Sequence, residues 1–479
     1  MSSLNGKSFP LQPNHSTLYY WSMIFLLSIL SSLITGAWSS TSAQSWQRDS
    51  ESLVVGRMYE MEHPISGSWM LRYSNLSSEL SYEESDDFTN RGNYLLQYGD
   101  PETTYQLYLG NTQEIPEVVT VYTSQSGLQG TVYGMISLVL KFFGLSGSVK
   151  LNILYLLNTT LLFALLLNLC NWLKDIIGII PAFFIFFTAL QSNWILISAR
   201  NLYWVPWSFL LPLTVSIFIA RKVHRGEGIH KWQYVVLMGS VVFRCMCGFE
   251  FVSFVLVIAE LPFVYYFLED TSNRKRWLSL AVKAGLLMVA GFLTALIIWA
   301  VQNILAVGSL SQALSIIVSV IAKRTGAFWG PDVSSHLSAP NAAYDTSLSA
   351  SRFSVILSYL GPNIRLIGSF TVVRLFLLLG VALITAWTLA FLCKKTKQIE
   401  FGYNKLLSNI PFLVISFISF LGPISWYFLA SGHSYIHHSI CEILLFLPCV
   451  PMCVGEICYL FYECNKSLQC LLHYRRKEQ

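Results

Sequence analysis

Several cationic and histidine residues stand where they could grip an anion. Arg200 closes the run Asn193-Trp-Ile-Leu-Ile-Ser-Ala-Arg200, which continues as Asn-Leu-Tyr-Trp-Val-Pro206 and so flanks the guanidinium with Trp194, Tyr203 and Trp204. An arginine can hold a phosphate through two parallel N–H donors while aromatic rings stack on lipid or sugar. The alternative is an interfacial anchor whose charge snorkels to headgroups. Arg244 and Glu250 lie in Phe243-Arg-Cys-Met-Cys-Gly-Phe-Glu250. Their spacing does not put them on one helical face, as an i,i+4 pair would be. They either pair across a bend at Gly248, or Arg244 meets a substrate phosphate. Lys323-Arg324-Thr325 follows an amphipathic stretch from Ser309 to Ala322. Either a lipid-linked phosphate or anionic headgroups would compensate that charge.

The turn Ser431-Gly-His-Ser-Tyr-Ile-His-His-Ser439 carries His433, His437 and His438. His433 and His437 are four apart, so a helix would present both imidazoles on one face. Hydrogen bonding to phosphate or sugar hydroxyls, capping of the following helix, and zinc binding are the three options. Zinc needs three or four ligands, and the sequence offers no further partner. No cofactor is assigned; a divalent metal is possible but no ligand set supports it. Acidic residues that could act as a general base are Asp49, Glu51, Glu60 and Glu62, whereas the run Glu83-Glu-Ser-Asp-Asp87 reads as a solvated loop.

The elements that must position these groups are membrane helices. The chain has 479 residues, 54% of them hydrophobic and 12% charged, with a mean hydropathy of +0.52. Soluble domains carry roughly 25% charged residues, and here the charge lies between long apolar runs. The composition excludes nucleic-acid binding, since no basic stripe exceeds the short clusters of loops. The 10 cysteines avoid the polar segment 39–140 and read as small apolar packing groups rather than a disulfide framework. Runs long enough to cross a bilayer fall near 21–38, 151–170, 176–192, 203–220, 233–249, 251–268, 281–305, 370–393, 408–430 and 440–462. The predicted fold class is an all-α polytopic membrane protein of about ten transmembrane helices, with a large first extracytoplasmic loop bearing interfacial helices.

Basic clusters fix the expected orientation. Lys174, Arg221-Lys222, Arg274-Lys-Arg276, Lys394-Lys395 and Arg475-Arg-Lys477 all fall on one side if both termini are cytoplasmic. The predicted layout is then a cytoplasmic segment 1–20, a first span 21–38 and an extracytoplasmic loop 39–150. Spans two to seven follow over 151–305, an extracytoplasmic segment over 306–369, spans eight to ten over 370–462 and a basic tail over 463–479. A signal peptide cleaved near Thr41 and Ala43 is the alternative for 21–38. Residues 233–268 are short for two full spans, so at least one is expected to be short, tilted or broken. Half of the chain's 26 acidic residues lie in 39–140, and the moderately apolar stretch 131–144 reads as an interfacial helix or re-entrant piece.

In layout, the sequence resembles the polytopic glycosyltransferases that use polyprenyl-phosphate sugars, the GT-C superfamily. It shares an N-terminal span, a large first outer loop and basic and histidine residues around an outward-facing cavity. The segments 199–206, 244–250, 323–325 and 433–437 also look like those of bacterial membrane proteins associated with cell-surface polysaccharide genes. The resemblance implies a transferase in the bacterial plasma membrane. It would take a sugar from a polyprenyl-phosphate donor to a glycan or lipid acceptor at the extracytoplasmic face. By position the catalytic carboxylate would be Asp49 or Glu51, with Glu60 next. The donor phosphate would be held by Arg200, Arg244, Lys323, Arg324 and the histidines, with Glu250 among the binding residues. A polysaccharide polymerase or ligase, or a flippase or transporter of lipid-linked oligosaccharide, is the rival reading.

Overall fold

The computed structural model describes residues 46–63, 70–75, 101–111, 118–190, 192–325, 351–361, 364–367, 370–395 and 409–478. The expected span 21–38 and the acidic run 83–87 lie outside the described residues, as does the side chain of Lys323.

Membrane character is clearest in the long helix Arg274–Val307. Leu278, Val282, Leu286, Val289, Leu293, Ile297, Val301 and Leu305 recur every three or four residues along it, and all are exposed. Such a stripe would be an aggregation liability in water and is what a lipid-facing helix presents. The opposite face, with Trp277, Ala284, Met288, Gly291, Ala295 and Trp299, is buried. The helix Val372–Lys395 repeats the pattern with Leu377, Val381, Ile384, Trp387 and Phe391 exposed.

In chain order the helices are α1 (Arg48–Glu62), α2 (Pro101–Leu109), α3 (Leu128–Phe142), α4 (Gly147–Ile177), α5 (Ile179–Leu190) and α6 (Asn193–Ala199). Then come α7 (Trp207–His224), α8 (Lys231–Cys247), α9 (Val252–Glu269), α10 (Arg274–Val307), α11 (Leu310–Thr325) and α12 (Arg352–Leu360). The last are α13 (Val372–Lys395), α14 (Ile410–Ser419), α15 (Leu421–Leu429), α16 (Ser431–Ile436) and α17 (Val450–Glu478). Two small antiparallel pairs accompany them: β1 (Arg72–Asn75) with β2 (Val118–Val121), and β3 (Arg365–Ile367) with β4 (Phe370–Thr371).

Among the described residues, 6 stretches are long and apolar enough to cross a membrane: Gly147–Ile177, Val252–Glu269, Thr271–Val307, Val372–Leu392, Ile410–Leu429 and His438–Gln469. The chain is a multi-pass, all-α membrane protein. Three further expected spans coincide with α5, α7 and α8, which are shorter or more polar. α5 has 12 residues, which at 1.5 Å per residue is about 18 Å against a hydrocarbon core of roughly 30 Å. α8 has 17 residues and α9 has 18, so the 233–268 hairpin is made of two short legs. They are joined at Gly248–Phe251, with Phe251 in the left-handed region at φ 64°.

Burial orders the bundle. The last crossing, His438–Gln469, has 89% of its most apolar window inside the protein, against 28% for the windows of Thr271–Val307 and Val372–Leu392. It is therefore the central helix and those two are peripheral. Close approach has its own requirement on α10. A Cβ on Gly291 would lie 2.7 Å from the Met238 carbonyl oxygen, so α8 and α10 touch backbone to side at that point. Among the described residues, Cys170, Cys245, Cys247, Cys441, Cys449 and Cys453 are buried and unbridged, and Cys458 is half-buried. The interfacial stretch expected at 131–144 is the helix α3, which exposes Met135, Leu138, Val139 and Phe142.

Candidate functional site

The polar residues singled out in the sequence gather where α7 and α9 begin, α8 and α10 end, and the first-loop segment 122–130 crosses. The connection from Arg200 to Pro206 is held in one shape by buried amides. Asn201 Oδ1 accepts from the backbone N–H groups of Tyr203 (3.0 Å) and Trp204 (2.9 Å). Its carbonyl accepts from Asn158 Nδ2 of α4 at 2.7 Å. Asn158 Oδ1 accepts in turn from the Tyr133 hydroxyl (2.5 Å) and Trp207 Nε1 (2.6 Å). Gln129 donates to the Tyr203 carbonyl at 3.2 Å. These bonds turn the Tyr203 and Trp204 rings toward the later elements. Arg200 itself is buried, its guanidinium lying 4.3 Å over the Tyr155 ring.

Arg244 and Glu250 do meet across the bend, though not as an ion pair. The Arg244 guanidinium, 1% exposed, donates to the Glu250 carbonyl (3.0 Å), Ser208 Oγ (3.1 Å) and the Trp204 carbonyl (3.4 Å). It also stacks on Phe209 at 4.4 Å. It thus ties α7, α8 and the bend together. The Glu250 carboxylate turns instead to Arg324 at the end of α11, with Oε1 2.5 Å from Nη2. Arg324 also donates to the Ser124 carbonyl at 3.2 Å. Burial pulls this guanidinium down, but Glu250 and the neighbouring tyrosine hydroxyls more than offset it, leaving its pKa above the ordinary value. The Glu250 Oε2 atom and the Gln125 amide oxygen both occupy the space a side chain on Gly248 would take. Gln125 is fully buried, and neither polar atom of its amide has a hydrogen-bond partner.

The histidine pair expected from its spacing forms as expected. The rings of His433, within α16, and His437, which caps its C-terminus, lie 4.6 Å apart. His433 sits against Trp426 (5.7 Å), Phe251 (6.2 Å) and Trp204 (6.4 Å). The indole N–H groups of Trp204 and Trp426 are buried without an acceptor. α16 abuts the end of α11, where Ser431 Oγ approaches the Thr325 carbonyl at 3.5 Å. His438 belongs to a separate stack with Tyr359 (4.2 Å) and Tyr427 (3.8 Å from Tyr359), and pairs with Glu442 at 3.2 Å. The cations Arg244 and Arg324, both imidazoles, two tyrosine hydroxyls (Tyr122 and Tyr203, 3.5 Å apart) and three aromatic rings are therefore neighbours.

The first-loop carboxylates divide by surroundings. Asp49 is exposed at the start of α1. Glu51 is 2% exposed and accepts from the Tyr105 hydroxyl (2.6 Å), the Tyr155 hydroxyl (3.2 Å) and the Leu202 N–H (2.8 Å). It fastens α1 to α2, α4 and the Arg200–Pro206 connection. Glu60 is buried with Arg57 at 2.9 Å. Glu62 is held by Lys150, Lys141 and Ser137. The residues of 323–325 fall at the end of α11 as one helical turn. Among the described residues, no group of three or more His, Cys, Asp or Glu could hold a metal.

The chain matches no protein-family model, no curated protein and no solved structure.

Two carboxylates that the sequence reading passed over lie inside crossing helices. Glu260, midway along α9, has both oxygens buried without a partner, Oε1 facing Gly285 of α10. Glu456, in α17, is 0% exposed. An ionisable residue inside an apolar run was the available signal, and both stand in runs counted as spans. Gln125 had no such signal, since a glutamine in a polar loop is unexceptional.

Proposed function

We propose that the chain is a membrane glycosyltransferase that moves a sugar from a polyprenyl-phosphate donor to a glycan or lipid acceptor at the extracytoplasmic face. The observation that carries this reading is the His433–His437 pair packed against Trp204, Phe251 and Trp426, beside the end of α11 that bears the Arg324–Glu250 pair. Imidazoles and a guanidinium suit the phosphate, while indole rings and buried amides suit a sugar. The opposite end, where Arg221 pairs with Asp175 and α9 meets Arg274, carries the basic residues expected of a cytoplasmic face. In a bacterial plasma membrane both termini are then cytoplasmic. The amphipathic helices α3, α11 and α12, with Met135, Phe142, Leu314, Val318, Phe353 and Leu357 exposed, would lie in the outer interface.

The acceptor hydroxyl attacks the anomeric carbon, the bond from that carbon to the phosphate oxygen breaks, and its electron pair leaves with the lipid phosphate. The hydroxyl proton passes to a first-loop carboxylate, for which exposed Asp49 is better placed than Glu51 or Glu60. Negative charge grows on the leaving phosphate, so fixed cations and imidazolium groups there lower the barrier differentially. The test is purified protein in liposomes with labelled polyprenyl-phosphate sugar. Release of polyprenyl phosphate with transfer of label, lost in the His433→Ala/His437→Ala variant, is the expected result. Label that leaves the lipid at the protein-free rate would refute the reading.

A second reading, transport of a lipid-linked substrate, is favoured by Glu260 and Glu456 within the crossings and by the break in the last one. Leu447 there has non-helical angles (φ −125°, ψ 79°). Broken helices with ionisable residues at depth belong to transporters. Label that crosses the membrane still attached to its lipid would favour transport.

A further inference from the structure

At the end of the bundle opposite the histidines, α10 begins with a face divided along its length. Lys275, Ser279 and Lys283 recur at the four-residue spacing that stacks side chains on one helical face, and Leu278, Val282 and Leu286 recur beside them. All six are exposed and line one open groove of about 490 Å³, a size that takes a small-molecule ligand. Beyond Lys283 the polar row stops, whereas the apolar row continues through Val289, Leu293 and Ile297, also exposed. Polar then apolar along one face is the order of a lipid's headgroup and tails.

The register of α10 on α8 places this groove at the edge of the bundle. The two helices run in the same direction, since Lys283 meets Tyr234 and Gly291 meets Met238. Counted back from that glycine contact at 1.5 Å per residue, Lys283 of α10 lies about 12 Å away and Lys231 of α8 about 10 Å. Lys283 is thus level with the start of α8, where Trp232 is exposed; Trp and Tyr at such a level mark the membrane–water interface. A lysine on the lipid-facing side of a crossing needs either water or an anion. The Lys283 ammonium lies 4.1 Å from the centre of the Tyr234 ring, which covers one side and leaves its N–H donors to find acceptors. Among the described residues neither Lys275 nor Lys283 makes an ion pair. Acidic residues of the same end are engaged elsewhere: Asp175 by Arg221, Glu227 by Lys222, and Asp270 by Asn273 and Trp277.

We propose that this groove binds one anionic phospholipid, its phosphodiester held at Lys275, Ser279 and Lys283 and an acyl chain lying along Val282, Leu286 and Val289. Charge complementarity selects an acidic headgroup over a zwitterionic one, whose own ammonium would face the two lysines. The site stands apart from the transferase reading and does not depend on which way the chain is oriented.

The experiment is native mass spectrometry of the full-length protein released from micelles, titrated with phosphatidylglycerol, with phosphatidylcholine of the same chains, or with inorganic phosphate. Wild type should retain one phosphatidylglycerol about tenfold more tightly than phosphatidylcholine, and inorganic phosphate at equal concentration should not displace it. Lys275→Gln/Lys283→Gln should weaken phosphatidylglycerol by about tenfold, the contribution of two lysines near a membrane surface, and leave phosphatidylcholine unchanged. Arg225→Gln, which removes an exposed charge of the same end outside the groove, should bind as wild type does. Thermal unfolding in the same micelles gives a second readout: phosphatidylglycerol raises the midpoint of wild type and not that of the double variant. Equal retention of the two lipids, displacement by inorganic phosphate, a double variant that binds as wild type does, or an equal loss in Arg225→Gln overturns the proposal.

Discussion

Replacing both members of the Arg324–Glu250 pair should cost far less than the sum of the two single replacements. The two side chains are 14% and 6% exposed and 2.5 Å apart, so solvent screens the interaction little. Removing one partner of a buried pair leaves an orphan charge, at about 3–5 kcal/mol. Arg324→Met also forfeits the 3.2 Å bond to the Ser124 carbonyl, worth about 1 kcal/mol. The Glu250 carbonyl keeps its bond from Arg244 whatever side chain stands at 250. Expected losses are therefore about 4 kcal/mol for Arg324→Met and about 3 kcal/mol for Glu250→Met, against about 4 kcal/mol for the double variant. The coupling is then about 3 kcal/mol. Unfolding by detergent titration, followed by tryptophan fluorescence, measures all four corners of the cycle. Losses that add to within about 0.5 kcal/mol would show that the charges do not meet in the folded protein. Sugar transfer gives an independent arm: a double variant as stable as Arg324→Met yet inactive would assign the pair to chemistry as well as to structure.

Gly291→Ala should destabilise by about 1–3 kcal/mol, because the new methyl meets the Met238 backbone oxygen at 2.7 Å; an unchanged unfolding midpoint would contradict the close α8–α10 approach. Tyr359→Phe removes the 2.6 Å bond to the Ser434 carbonyl and should lose about 1 kcal/mol while keeping the stack on Tyr427; a loss as large as that of Tyr359→Ala would show that the hydroxyl, not the ring, holds α12 in place. Asp270 caps the turn before α10. Its slight burial works upward, but hydrogen bonds from Asn273 and Trp277 outweigh it and hold the carboxyl below its usual range. A group depressed in the folded state stabilises above its unfolded pKa, about 3.9, and loses that contribution as pH falls through the folded value. The stability gap between wild type and Asp270→Asn should therefore close as pH drops below about 4.

Where the helices lie was legible because bilayer thickness and backbone hydrogen bonding leave few alternatives. The apolar runs predicted near 151–170, 251–268, 281–305, 370–393, 408–430 and 440–462 all correspond to the crossings found. Run length read less well where polarity and helix length diverge. The stretch 176–192 is apolar enough, yet Gly178, at φ 89°, and the turn at Ser192 cut its helix to Ile179–Leu190. Hydropathy sums over such breaks, whereas the backbone does not.

The site was legible as a set of residues but not as a set of partners, and the difference is physical. Sequence spacing fixes neighbours on one helix, as it did for His433 and His437, since the helical repeat alone brings i and i+4 together. It does not say which of several acceptors a cation meets across the bundle. Arg244 and Glu250 were paired by nearness in the chain, but in the fold Arg244 takes the Glu250 carbonyl and leaves the carboxylate to Arg324, 74 residues away. Glu51 shows the same in the first loop. Its place in the chain suits a catalytic base, yet two tyrosines and a backbone N–H from three other elements saturate its oxygens. A carboxylate so supplied with neutral donors is held as a fixed joint, and the loop residue left facing water is Asp49. Lys283 is the converse case, a cation that the fold supplies with the Tyr234 ring but, among the described residues, with no ion pair. It is the pattern of hydrogen-bond supply, more than position along the chain, that separates groups that brace the fold from groups still able to take a ligand.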